Sequence, residues 1–407
     1  MGNSLAQDLE AELWQLPKID VHCHMRPGQL TTAEPQELIF YHFLWREYLG
    51  AGAKKEDFKG NLADDLKVLS PLWERVRHTS AVWCLRQMAK DLYGLDGELA
   101  EIVPLLAERT KAQPLAWEEV RAKLNLEAAY ACAPFWEAEK LTAKEGFVKP
   151  LLERLQFSSI YLPYLKRLFC GSTLKESREQ LVQFVREHAN RGVRHFAGFI
   201  GNDFTYTLAS QLELEALYRK QLLTPEEANV LVTYYLNAFL EAVGEAGGVA
   251  QFYLGAKWNR PGMEKGESYS IVNHDLVPSL VNLFRRHPDT KISVMNATAA
   301  LGQELTIMAR MLPNVSLAGF WWHAFNPPYV RQQIEERLSL LPLNKWVLLT
   351  TDSYNLQWCY GKIALALRCL AQVLAAKITD GELTRKEALQ IGEWVLYKAP
   401  AEIYEQV

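Results

Sequence analysis

The sequence predicts an α/β chain that closes into a (β/α)8 barrel, and three observations carry that reading. From about residue 126 onward, short runs rich in β-branched, aromatic and small apolar residues alternate with longer stretches of helical periodicity. This is the pattern of a parallel sheet crossed by helices. Together with one run near the N-terminus the runs number eight, the count at which such units close on themselves. No Gly-x-Gly-x-x-Gly follows any of them, which weighs against the alternative, an open doubly wound sheet.

Taken in order, residues 1–13 mix acidic and apolar positions at helical spacing and lack the basic-then-apolar order of a leader. Strand one is Asp20-Val21-His22-Cys23-His24-Met25, entered after Trp14-Gln15-Leu16-Pro17. The turn Arg26-Pro27-Gly28 leads into helical spacing over 36–49, 62–69, 72–92, 97–111 and 117–124, punctuated by Pro71, Gly94, Pro104 and Pro114. That is too much helix for one crossover. It divides the chain into an N-terminal segment with strand one (1–25), a helical insertion (26–125) and the rest of the barrel with C-terminal helices (126–407). The remaining strands are expected at 127–133, 159–164, 193–199, 249–256, 291–297, 315–321 and 346–352. Asn190-Arg191-Gly192 before the fourth strand is a helix-stop signal. After Tyr354 the pattern is helical to the end, broken by Gly381 and Pro400.

Composition bounds the class. At 49% apolar and 23% charged, the chain has the balance of a globular enzyme. With 44 basic residues against 48 acidic ones and no long basic run, nothing argues for a nucleic-acid partner. Six scattered cysteines without a Cys-x-x-Cys read as reduced thiols rather than a disulfide framework or a zinc ribbon. No apolar window is expected to span a membrane. A cytoplasmic protein with neither membrane nor nucleic acid as partner is expected.

On a strand, side chains at i, i+2 and i+4 share a face. Asp20, His22 and His24 are therefore expected to point one way, and Val21, Cys23 and Met25 the other. Two imidazoles about 7 Å apart along a strand can reach one ion only where the strand end is open. Barrel enzymes place active residues at the C-terminal ends of their strands. Those ends are His22, His24, Tyr164, 199–202, 253–258, Asn296, 321–323 and 352–354. His22, His24 and Asp352 fall on strands one and eight, which are neighbours once a barrel closes. Two imidazoles and a carboxylate there form a divalent-metal site with open coordination positions. Zinc suits these ligands, as do manganese, iron and nickel.

The same segments resemble the uronate isomerases of the amidohydrolase superfamily. The resemblance rests on Asp20-x-His22-x-His24, the helical insertion, and Thr351-Asp352-Ser353. Tyr41-His42-Phe43-Leu44-Trp45-Arg46 before Gly50-Ala51-Gly52, Gln251-Phe252-Tyr253-Leu254-Gly255-Ala256, and Gly319-Phe320-Trp321-Trp322-His323-Ala324-Phe325-Asn326 extend it. It implies an enzyme that interconverts an open-chain uronate, of the glucuronate or galacturonate type, with its keto-sugar acid. The proton would move between C2 and C1 through an enediol, beside a divalent metal, zinc. Carried over by position, His22, His24 and Asp352 would hold the metal and Asp352 would also shuttle the proton. His42 and Arg46 would reach in from the insertion, and Trp321 or Trp322 would wall the sugar.

The chain departs from the family pattern at several places. Tyr253 stands where the family has a His. Trp258, with Arg260 two positions on, stands where it has an Arg, and Tyr354 replaces another. Ala197 occupies the place of an acidic residue, with Asp203 close by. Lys257, Arg260 and Tyr354 are the candidates to complete substrate binding, although lysine does not reproduce an arginine fork. A small-molecule sugar acid as ligand and a homo-oligomer are expected.

Each candidate has a plain structural alternative. Asp352 could cap the following helix. His42 could be a core histidine, and Arg46 could cover apolar surface. Tyr253 could fill the barrel or act as an acid/base phenol. Trp321 and Trp322 alternate along a strand, so one lines the pocket and the other packs. Three functions stay open: the isomerase; a mononuclear metal-dependent hydrolase of a lactone, ester or amide that uses activated water; and a catalytically silent sugar-acid binder.

Overall fold

A computed structural model describes residues 2–134, 146–258 and 268–405. Its centre is one eight-stranded sheet: β1 (Lys18–Cys23), β2 (Leu126–Pro134), β3 (Val148–Phe157), β4 (His195–Ile200), β5 (Val249–Leu254), β6 (Lys291–Asn296), β7 (Val315–Ala318) and β8 (Trp346–Val347). Neighbours follow chain order, and every pair is parallel. The seam closes just beyond β8. Val21 N–H donates to Leu349 O (3.2 Å), Asp352 N–H to His22 O (2.9 Å) and His24 N–H to Ser353 O (2.8 Å). The first and last strands therefore lie side by side, and the sheet is a barrel.

Alternation along each strand sorts side chains into two packed layers. Ala128, Leu151, Ala197 and Tyr253 belong to an inner cluster. Their neighbours Ala129, Leu152, Phe196 and Phe252 belong to the larger cluster shared with the surrounding helices. The helices between β1 and β2 from Pro35–Ile39 to Leu99–Ala112 gather a third cluster that includes Leu38, Tyr48, Met88 and Val103. Trp358 and Leu365 join it from the helix Leu356–Thr379.

The structure corrects several expected boundaries. The third strand is Val148–Phe157, not 159–164. Its buried residues Val148, Leu151, Leu152, Leu155 and Phe157 do not keep a simple alternation, as a strand buried on both faces need not. Residues 159–164 instead turn into the helix Leu162–Leu168, with Pro163 in its first turn. The seventh strand stops at Ala318 because Gly319 turns left-handed (φ 46°), and a Cβ there would collide with Thr350. Only Trp346–Val347 of the eighth strand ladders onto β7; beyond it the chain bonds to β1.

Two expected helices are broken. The one over 36–49 splits at Tyr41, which is extended (φ −51°, ψ 138°). Its ring stacks on Trp358 at 4.1 Å and its hydroxyl donates to Asp352 O at 3.1 Å. The one over 72–92 restarts at Ser80–Tyr93, where Thr79 accepts from Val82 N–H as the cap. Against expectation, Leu356–Thr379 is long and apolar enough to cross a membrane. However, 78% of its most apolar window is buried inside the fold, as in a core helix. All six cysteines are free thiols.

Candidate metal centre

The histidines are aimed by an irregularity in β1. Asp20 pairs with Ala129 but Cys23 with Ala131, so β1 carries one residue more than its partner there. The single face expected for Asp20, His22 and His24 is thereby split, and so is the opposite one. Val21 packs in the inner cluster, while Cys23 and Met25 pack in the outer one. Asp20 turns to the last strand, where Thr351 donates to it through backbone (3.0 Å) and hydroxyl. Burial pushes its carboxyl up, and these bonds with the one from His22 N–H oppose that.

His22 and His24 converge on one atom. Their Nε2 atoms lie 3.5 and 3.1 Å from Asp352 Oδ1. Asp352 is itself in the left-handed region (φ 53°), which Asp tolerates better than most residues. Burial alone would raise its carboxyl, but bonds from both imidazoles and the charges of His24 and Lys362 hold it well below the usual range. It is a carboxylate at neutral pH. For His24, burial opposes protonation, yet Asp352 wins and the imidazole is raised. Cys132, near the end of β2, lies beside them: its Sγ is 3.3 Å from His22 Nδ1 and 3.8 Å from Nε2. One donor atom each from His22, His24 and Cys132 lies within 4.8 Å of the others.

Gln251 on β5 decides what this cluster can hold. Its Nε2 donates to Val21 O (2.9 Å) and Tyr404 Oη (2.8 Å), so its Oε1, an acceptor, faces His22 Nδ1 at 2.8 Å. Nδ1 then carries the hydrogen, and in the neutral ring the Nε2 lone pair faces the Asp352 carboxylate. A second proton or a cation answers two acceptors so placed. Nε2–Oδ1 separations of 3.5 and 3.1 Å match ligands held about 2.0–2.2 Å from a common ion, so His22, His24 and Asp352 fit a divalent metal. Zinc accepts nitrogen, oxygen and sulfur alike.

The other predicted residues fall into two groups. Tyr253 lies in the wall, its ring 5.4 Å from His22 and 5.4 Å from Trp321. Its phenol is held neutral by burial and by the Glu153 charge, and its hydroxyl makes no well-formed hydrogen bond. Tyr354 stacks on His24 at 5.2 Å. His42 stands edge-on to Tyr354 at 5.6 Å, and burial and the Lys362 charge hold it down to about 3. Trp321 and Trp322 do not point to opposite faces. The strand has ended, Trp321 takes φ 35°, and the two indoles lie 4.9 Å apart. Thr350 Oγ1 holds that turn by accepting from the N–H groups of Phe320 and Trp321 (3.2 and 3.1 Å). Arg46 is farther out, its guanidinium 5.9 Å from the Trp322 ring. Lys257 sits on a small antiparallel pair, Ala256–Trp258 with Ser268–Ser270, and Arg260 lies outside the described residues.

Sequence reasoning missed Cys132, Gln251 as an orienting group, and Lys362. The strand-end rule applied to β2 points to Cys132, a signal masked by six scattered thiols. Lys362 carries no such signal. It is buried, donates to Thr351 O and is faced by the rings of Tyr41, Phe43 and Phe325 at 5.1–5.2 Å. Burial brings its amine down to about 8 against the pull of Asp352.

No protein-family profile matches this chain, and no curated protein matches it. Solved structures do. A uronate isomerase from Thermotoga maritima superposes with a TM-score of 0.83 at 17% identity, over 98% of this chain and 97% of that one. A glucuronate isomerase from Caulobacter crescentus gives 0.84 at 16%, over 100% and 94%. A Lactobacillus casei chain, provisionally described as a metal-dependent hydrolase, gives 0.58 at 13%, over 98% and 97%. Identities this low speak for architecture. This chain has the fold of the solved uronate isomerases.

Proposed function

We propose that the chain is an aldose–ketose isomerase acting on a uronate of the glucuronate or galacturonate type, with a divalent metal, zinc, held by His22, His24 and Asp352. One observation carries this reading: two imidazole nitrogens converge on Asp352 Oδ1 at 3.5 and 3.1 Å, on the closing seam of a barrel with the uronate isomerase fold. A bound metal supplies Lewis-acid polarisation of the sugar's carbonyl oxygen. Asp352, kept ionised by its neighbours, takes the proton from C2 and returns it to C1. The O2 hydrogen leaves as O1 gains one, so aldose and ketose differ only in where these hydrogens sit. Tyr253 offers a neutral phenol as proton donor from the wall. Tyr354, Trp322 and Arg46 bind the sugar and its carboxylate at the rim.

The test is conversion of glucuronate and galacturonate by zinc-loaded protein in D2O, followed by NMR. Ketose formation with solvent deuterium at the exchanged carbon is expected. No conversion of any sugar acid in a panel, with the metal bound, would overturn the reading. Metal-dependent lactone hydrolysis without isomerisation would replace it with the hydrolase.

A further inference from the structure

The N-terminal mouth of the barrel is filled by the end of the chain. Ile403 and Tyr404 pack in the inner cluster with Tyr130 and Val249. The backbone around them is pinned by side chains from three strands. Tyr130 Oη and His195 Nε2 donate to Tyr404 O (3.0 and 2.7 Å), and Lys291 Nζ donates to Glu402 O (3.0 Å). Tyr404 is 1% exposed, and its hydroxyl accepts from Gln251 Nε2 at 2.8 Å. Gln251 in turn reaches His22 Nδ1. Three side chains thus connect the plugged mouth to the candidate metal centre through the barrel.

We propose that Tyr404, acting through Gln251, is a positioning residue that fixes His22 in the Nδ1–H tautomer and so presents Nε2 to the metal. The amide has two orientations. In the one observed, both N–H groups meet acceptors, Val21 O and Tyr404 Oη, and Oε1 meets the ring N–H. Flipped, Oε1 would face the Val21 carbonyl, acceptor against acceptor. Nε2 would then demand a lone pair on His22 Nδ1, moving the ring hydrogen to the atom that should bind the ion. Val21 O, which can only accept, selects the working orientation, and the Tyr404 hydroxyl anchors the amide in it; removing the hydroxyl leaves the amide held by one bond fewer and freer to turn. The inference rests on the reading that His22 Nε2 is a metal ligand.

Three variants test it: Tyr404→Phe, Gln251→Leu, and Tyr130→Phe, which loosens the same tail without touching Gln251. Zinc affinity is measured by chelator competition, and the His22 tautomer by ring 15N shifts in metal-free protein at a pH high enough that the ring is neutral. Wild type is expected to show the Nδ1–H form. Tyr404→Phe and Gln251→Leu are expected to bind zinc about 10- to 100-fold more weakly, with Tyr130→Phe near wild type even if its melting temperature falls as far. An Nε2–H tautomer in wild type, or equal weakening in Tyr130→Phe, overturns the proposal. Should Tyr404→Phe fail to fold, the wild-type tautomer and Gln251→Leu still decide. Zinc binding that survives His22→Ala removes the functional reading itself. Binding lost there but untouched in Tyr404→Phe removes this inference alone.

Discussion

The two mouths of the barrel bury polar groups to opposite effect. At the N-terminal mouth several buried donors meet fixed acceptors. Tyr130 and His195 meet Tyr404 O, Lys291 meets Glu402 O, and Lys149 pairs with Glu405. At the C-terminal mouth Asp352 and Trp321 take positive φ, and His22 Nε2, in the neutral ring, would face the Asp352 carboxylate with a lone pair that a second proton or an ion must bridge. Satisfied polar groups stabilise a fold, whereas strain and facing acceptors persist only where something else is held in place. The contrast agrees with the division of labour in such barrels, stability below and chemistry above.

The largest expected effect would break the contrast from above. Asp352→Asn keeps the shape but removes the charge, so isomerisation should fall about 10²- to 10⁴-fold, with reduced zinc content by elemental analysis. Retained activity would show that the upper mouth is also merely structural. Next is Tyr404→Ala, which empties the plug. A buried aromatic truncated to alanine costs about 3–5 kcal/mol, measurable by urea unfolding.

A pH series sharpens the lower half of the comparison. Burial holds the His195 imidazole down to about 4, below its ordinary 6.5, against the bond to Tyr404 O. As pH falls the unfolded chain is protonated first. Stability present above pH 6.5 is therefore lost as pH falls through about 4, at a slope approaching about 1.4 kcal/mol per unit. Melting of His195→Gln should be flatter than wild type across that window. The smallest effect is expected from Lys149→Ala. Its ion pair with Glu405 is partly exposed, and such pairs contribute about 0–1 kcal/mol. A larger loss would mean that the tail is held by charge rather than by packing.

Much of this was legible in the chain. Strand runs and strand-end positions follow from local periodicity, and those two facts put His22, His24 and Asp352 on adjacent strands before any coordinates. The third strand was not legible, because residues 148–157 are buried on both faces and do not alternate. Nor were the paired indoles, since the turn at Gly319 depends on how closely Thr350 approaches.

Spacing along the chain was enough to read the barrel and to put three residues on its seam. Tertiary structure alone decided how those residues are aimed: the extra residue in β1, the left-handed Asp352, and the contacts of Cys132 and Lys362. It also joined Gln251 to His22 and Tyr404, which lie 229 and 153 residues away along the chain. A hydrogen bond across such distances leaves no local pattern, because the fold brings its two ends together only when the barrel closes.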